Sequence, residues 1–87
     1  MSNTLSLAEA LKRIRGAFAP LECVAEDWDY ERRIRLKVLD PAGDPLITVE
    51  ELLRDLFTDP SRLDWILREI ASRVKAKGFA LANYPAS

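Results

Sequence analysis

The chain has no histidine and only one cysteine, Cys23. Without histidine it lacks the commonest general base, the usual activator of Ser and Cys nucleophiles, and the commonest transition-metal ligand. One thiol forms no intrachain disulfide, and with no imidazole beside it assembles no zinc site. Glycine occurs only at Gly16, Gly43 and Gly78, so neither a phosphate-cradling loop nor a dinucleotide fingerprint is present. No run approaches the roughly 20 apolar residues of a membrane span. Nor does one sign of charge dominate. Thirteen Lys and Arg stand against fourteen Asp and Glu, a net charge of −1, which gives the whole chain no pull toward nucleic acid or anionic lipid. Asp and Glu remain as acid/base groups, but a domain this small rarely offers a deep, dry cleft to tune them. The expectation is a protein that is not an enzyme, with no cofactor, no metal and no membrane partner. A lone thiol fits a reducing compartment, so the expected location is cytoplasmic. The opening Met1-Ser2-Asn3-Thr4 has neither the basic nor the apolar region of a secretory signal.

What is present fits one small domain over residues 1–87. Hydrophobic residues make up 48% of the 87, enough for a single core. The ordered part is expected over about 6–78, with 79–87 as an apolar, Pro-containing tail. Residues 6–18 read as an amphipathic helix: Ser6 and Glu9 have capping-box spacing, and Leu7, Ala10, Leu11, Ile14, Ala17 and Phe18 share one stripe. Pro20 ends it. Residues 21–27 and 32–39 read as strands. In the second, Ile34, Leu36 and Val38 alternate with Arg33, Arg35 and Lys37. A four-residue loop at 28–31 would pair Glu26 with Arg33, Val24 with Arg35 and Glu22 with Lys37, giving two cross-strand ion pairs.

Asp40-Pro41-Ala42-Gly43-Asp44-Pro45 reads as a turn. A third strand is expected at about 45–50, then a short helical turn; the competing reading is a helix from Val49 to Phe57, capped by Thr48 and Glu51. The last helix opens at Asp59 or Ser61, buries Leu63, Ile66, Leu67, Ile70 and Val74, and ends before a C′ Gly78. The sum is an α+β fold: two-layer α-β-β-β-α, a three-stranded antiparallel sheet with helices packed on one face. Its core is expected to hold Leu7, Leu11, Ile14, Phe18, Leu21, Cys23, Ile34, Leu36, Val38, Ile47, Val49, Leu63, Ile66, Leu67 and Ile70.

A run of residues carries a resemblance. Leu11, Ile14, Phe18, Pro20, Leu21 and Cys23 are followed by Val38, Asp40, Pro41, Ala42, Gly43, Leu46 and Val49, then by Leu63, Ile66, Glu69 and Ile70. Over about residues 7–72 the chain resembles a family of short bacterial proteins described only as a domain of unknown function. Their pattern is a helix ending in Phe-x-Pro-Leu-x-Cys, a strand running into Asp-Pro-Ala-x-Gly, a Leu-rich strand and a Leu/Ile-patterned last helix. Glu50 and Glu51 stand where members tend to carry a Gly. The resemblance implies the same fold and a cytoplasmic location, and no activity.

Three groups of residues stand out as candidate sites. Trp65 lies nearly opposite the buried stripe of the last helix, and an indole there is expected to be covered by a protein partner, by a second copy of the chain, or by the 50–60 segment or the tail (Phe79, Leu81, Tyr84). Trp28 and Tyr30, flanked by Asp27, Asp29 and Glu31, are expected at the hairpin tip as partner-binding aromatics, or with one of them curled back over the sheet. Arg32, Arg33, Arg35 and Lys37 form a basic strand. Its alternative reading is a nucleic-acid-binding face with Trp28 or Tyr30 stacking bases; its bland one is a solvated face neutralised by Glu22 and Glu26. RNA-binding sheets carry aromatics on the strands, and these strands are read as having none. The element order is shared with double-stranded-RNA-binding domains, which is analogy only, and Arg62 and Arg68 are interspersed with Asp64 and Glu69 rather than gathered into a phosphate grip. Cys23 reads as a small core hydrophobe. The leading expectation is a non-enzymatic cytoplasmic protein-interaction or regulatory module, a homodimer being one form of it, anchored by Trp65, Trp28 and Tyr30.

Overall fold

The computed structural model describes residues 4–84. Along them run α1 (Leu7–Ala17), β1 (Cys23–Trp28), β2 (Arg33–Leu39), β3 (Pro45–Leu53), α2 (Arg54–Phe57) and α3 (Pro60–Ala76). The strands form one antiparallel sheet in the order β1-β2-β3. The fold is thus α-β-β-β-α, in the α+β class, with α1 packed on β1, and α2 and α3 on β3.

Local chemistry explains the helix ends. The Glu9 N–H donates to Ser6 Oγ and the Ser6 N–H donates to Glu9 Oε1, both at 3.1 Å, which closes the capping box of α1. Asp59 Oδ1 accepts from the Ser61 and Arg62 N–H groups and caps α3, with Pro60 at a position where its missing N–H costs nothing. Past α3, Gly78 takes φ +95°, a conformation that L side chains rarely adopt, and its N–H donates to the Lys75 carbonyl. The β2–β3 turn is tied by Asp40, whose Oδ1 accepts from the Ala42 and Asp44 N–H groups, while Gly43 supplies φ +91°.

The core lies between the sheet and the helices. Ile34, Leu36 and Val38 of β2 are buried, with Cys23 and Ala25 of β1 beside them. From the helical side come Ala10, Leu11, Ile14, Ala17 and Phe18, then Leu63, Leu67, Ile70, Ala71 and Val74. Leu7, Leu21, Ile47, Val49 and Ile66 are only partly buried and pack at its margin, because β3 is an edge strand and the helix flanks face water.

Four expectations change. First, β1 runs through Trp28, so the four-residue loop is 29–32 and the register places Val24 opposite Lys37, Glu26 opposite Arg35 and Trp28 opposite Arg33. The expected Glu26–Arg33 and Glu22–Lys37 pairings do not form; Glu26 meets Arg35 at 3.5 Å, and the Leu39 N–H donates to the Glu22 carbonyl. Second, β3 continues to Leu53, and the capped helix from Val49 does not form. Leu52 is only 3% exposed on the inner face, and a bulge sets both Glu50 and Glu51 against Arg35, restoring the alternation beyond it. Third, Leu5, Leu52, Phe57 and Leu81 belong to the core, Phe57 completely buried where α2 folds under β3. Fourth, the chain past Gly78 is packed as far as it is described. Leu81 is buried, the Ala82 N–H donates to the Ala19 carbonyl, and Asn83 Nδ2 donates to the Gly16 carbonyl at 2.9 Å. The rest of the expected tail, 85–87, lies outside the described residues.

Candidate functional site

The molecule has two outward faces, and the candidate residues divide between them. On the helical side, α3 turns Leu63, Leu67, Ile70 and Val74 inward, so Trp65 emerges on the opposite side. It is 64% exposed, and among the described residues neither α2 nor the C-terminal segment as far as Tyr84 covers it. Leu56 of α2 and Ile66 stand beside the indole, and with Ser61 and Arg62 they line a shallow apolar concavity of about 350 Å³. The rim carries paired charges: Arg62 with Asp59 at 3.8 Å, and Arg68 with Asp64 at 2.7 Å.

The second face is the uncovered side of the sheet. Val24, Glu26 and Trp28 of β1 point to it, as do Arg33, Arg35 and Lys37 of β2 and Thr48, Glu50 and Glu51 of β3. Trp28 therefore sits on a strand and not at a loop tip, contrary to the reading that the strands carry no aromatic. Its ring is covered by the guanidinium groups of Arg33, at 5.2 Å from the centroid, and Arg35, at 5.0 Å. The indole Nε1 is buried without a hydrogen-bond partner. Both arginines are also bound by acids: Arg33 by Glu51 at 2.6 Å and Asp29 at 3.3 Å, Arg35 by Glu26. Glu26 of β1 on one side and Glu50 and Glu51 of β3 on the other thus flank the basic row of β2.

Tyr30 and Arg32 lie on the connecting loop, both exposed, Tyr30 at 92%. Three successive residues there adopt left-handed φ: Asp29 at 55°, Tyr30 at 54° and Glu31 at 65°. The Arg32 N–H closes the turn onto the Asp29 carbonyl at 3.1 Å, and Arg54 Nη1 donates to the Glu31 carbonyl. Trp28, Tyr30 and the four basic residues thus share the hairpin, while Trp65 stands on the far side of the two-layer fold. Val24 at 47% and Leu53 at 42% exposure add apolar area to the sheet face. Alternation along β1 already set Val24 outward; Leu53 was hidden by the expectation that the third strand stops near residue 50.

Cys23 is buried against α1, and burial pushes its thiol up to about 11, against a smaller opposing pull from Arg15. Such a thiol is a poor nucleophile at neutral pH. Arg15 itself reaches the β1 edge, where its Nη2 donates to the Ala25 carbonyl at 2.7 Å. Among the described residues, no group of three His, Cys, Asp or Glu is placed to hold a metal ion, and no helix is long and apolar enough to cross a membrane. No protein-family model, curated protein or solved structure matches the chain.

Proposed function

We propose that the chain is a small, non-enzymatic protein-interaction module of the cytoplasm, with Trp65 as its anchor. One observation carries the reading: a large indole stands mostly in water beside Leu56 and Ile66, outside the core that the described residues form. Trp is among the residues that dominate binding energy when buried at the centre of an interface, and a helix that holds one on its outer face gains little from it in isolation. The absence of histidine and the inert Cys23 support binding over catalysis and a reducing compartment. The resemblance to a bacterial family of unknown function adds no activity to this reading.

Nucleic-acid binding through Arg32, Arg33, Arg35 and Lys37 has weaker support. Trp28 does lie on a strand of the open face, but its ring is occupied by Arg33 and Arg35, and those two arginines are held by Glu51, Asp29 and Glu26.

The test is proximity cross-linking in lysate, comparing the wild-type chain with Trp65→Ala. Adducts that require Trp65, whether to this chain or to another, support the module. Identical adduct patterns would remove Trp65 as the anchor. RNA retention that falls with salt and disappears in Arg33→Glu/Arg35→Glu would favour the nucleic-acid reading instead.

A further inference from the structure

We infer that the partner seated on Trp65 is a second copy of this chain, docked through an antiparallel pairing of the two α3 helices. This rests on the interaction-module reading and names its partner. The charge order around the indole is complementary to itself. On an α-helix, residues three, four and seven apart share a flank. Arg62 and Glu69 lie two turns apart on one flank of Trp65; Asp64 and Arg68 lie one turn apart on the other, and all are exposed. Each flank carries opposite charges, and both sets are centred on Trp65 and Ile66.

A two-fold axis perpendicular to the pair of helices brings each flank against the same flank of the other copy, running in reverse. Set at Trp65 and Ile66, it places Arg62 opposite Glu69 of the second copy and Asp64 opposite Arg68 of the second copy. Symmetry forms each contact twice. The two indoles meet near the axis, between the two charged flanks, with the ion pairs on either side of them and Leu56 and Ile66 beyond the Arg62/Glu69 flank. A rim of one sign would repel its own copy; this one is complementary to itself. The Arg68–Asp64 pair, now made within one helix, would be shared between the two helices.

Native mass by sedimentation equilibrium, from about 1 μM to about 1 mM, tests this across the range where a small interface of this kind dissociates. The full chain is expected to shift from monomer to dimer. Arg62→Glu sets glutamate against glutamate twice along the Arg62/Glu69 flank, leaves the Asp64/Arg68 flank as it is, and is expected to weaken association by about tenfold. The exchange Arg62→Glu/Glu69→Arg restores opposite charges and is expected to recover most of the loss; Trp65→Ala should be monomeric throughout. Arg62 and Glu69 are both exposed, and a carboxylate at 62, in the first turn of α3, suits the helix dipole, so the two charge variants are expected to keep the fold. A wild-type chain that stays monomeric at the highest concentration overturns the inference, as does an exchange variant no tighter than Arg62→Glu. A monomeric chain with Trp65-dependent adducts to another protein overturns self-association alone and leaves the module standing.

Discussion

Trp28 and Arg33 face each other across the first hairpin, the guanidinium carbon 5.2 Å from the indole centroid. Arg35, two residues on along the same face, approaches the ring at 5.0 Å. This grouping sets the register, because it draws Trp28 out of the loop and into β1. Trp28→Ala removes two cation–π contacts, each worth about 0.5–1 kcal/mol, along with half-buried apolar area. The expected cost is about 2 kcal/mol by urea unfolding, and Trp28→Phe should recover part of it. Loss of stability without any change in association would separate this residue from Trp65, and shows that Trp28 holds the hairpin.

The turn that follows is made of unfavourable residues. Tyr30 and Glu31 occupy the two central positions of a turn that needs φ > 0 at both, a role suited to Asn-Gly. Left-handed backbone costs a non-Gly residue roughly 1–2 kcal/mol. Tyr30→Asn/Glu31→Gly is therefore expected to raise stability by about 1 kcal/mol, after the entropy that Gly adds to the unfolded chain. Chemical denaturation measures this directly; an unchanged or lower midpoint would mean the turn is not strained. The Tyr30 side chain, 92% exposed, contributes little packing to lose.

At the N-terminus of α1, the Ser6 backbone N–H and hydroxyl hold the Glu9 carboxyl below its ordinary range, with a small pull from Arg13. A carboxylate with a lowered folded pKa adds stability above its unfolded pKa, and that stability disappears as pH falls through the folded value. Wild-type melting temperature should therefore exceed that of Glu9→Gln at pH 6–7, and the difference should shrink below about pH 4. A difference that stays constant from pH 7 to pH 3 would show that the carboxylate charge plays no part in the cap.

Helix ends and strand alternation were legible in the sequence because their causes are local. Ser6 and Glu9 close a box three residues wide, Asp59 and Gly78 bracket α3 by backbone chemistry, and Ile34, Leu36 and Val38 alternate whatever surrounds them. The hairpin register was not legible. Charge matching favoured the Glu26–Arg33 pairing, yet the packing of Trp28 on two arginines shifted it, and that packing exists only once the strands have met. The end of β3 was hidden for a related reason. Glu50, Glu51, Leu52 and Leu53 have helical propensity, and only a bulge opposite Arg35, with Leu52 in the core, keeps them extended. Trp65 was legible as an outward residue, since its helix has a strong stripe to be opposite to. That Trp28 and Trp65 lie on different faces follows only from the layered assembly.

Phe57 and Trp65 make opposite predictions from similar side chains. Phe57 is fully buried on a helix of four residues that has little stability of its own, and it is one of the largest fully buried side chains of the core. Phe57→Ala deletes a buried ring and is expected to cost about 3–5 kcal/mol, a large share of the roughly 5–15 kcal/mol that holds a domain folded. Trp65→Ala takes a mostly solvated side chain from an outer face and is expected to change monomer stability by no more than about 0.5 kcal/mol. Thermal unfolding of both variants at low concentration, where association is absent, decides the matter. If Trp65→Ala is as damaging as Phe57→Ala, the indole serves the monomer's own core and its exposed face has no claim to a partner.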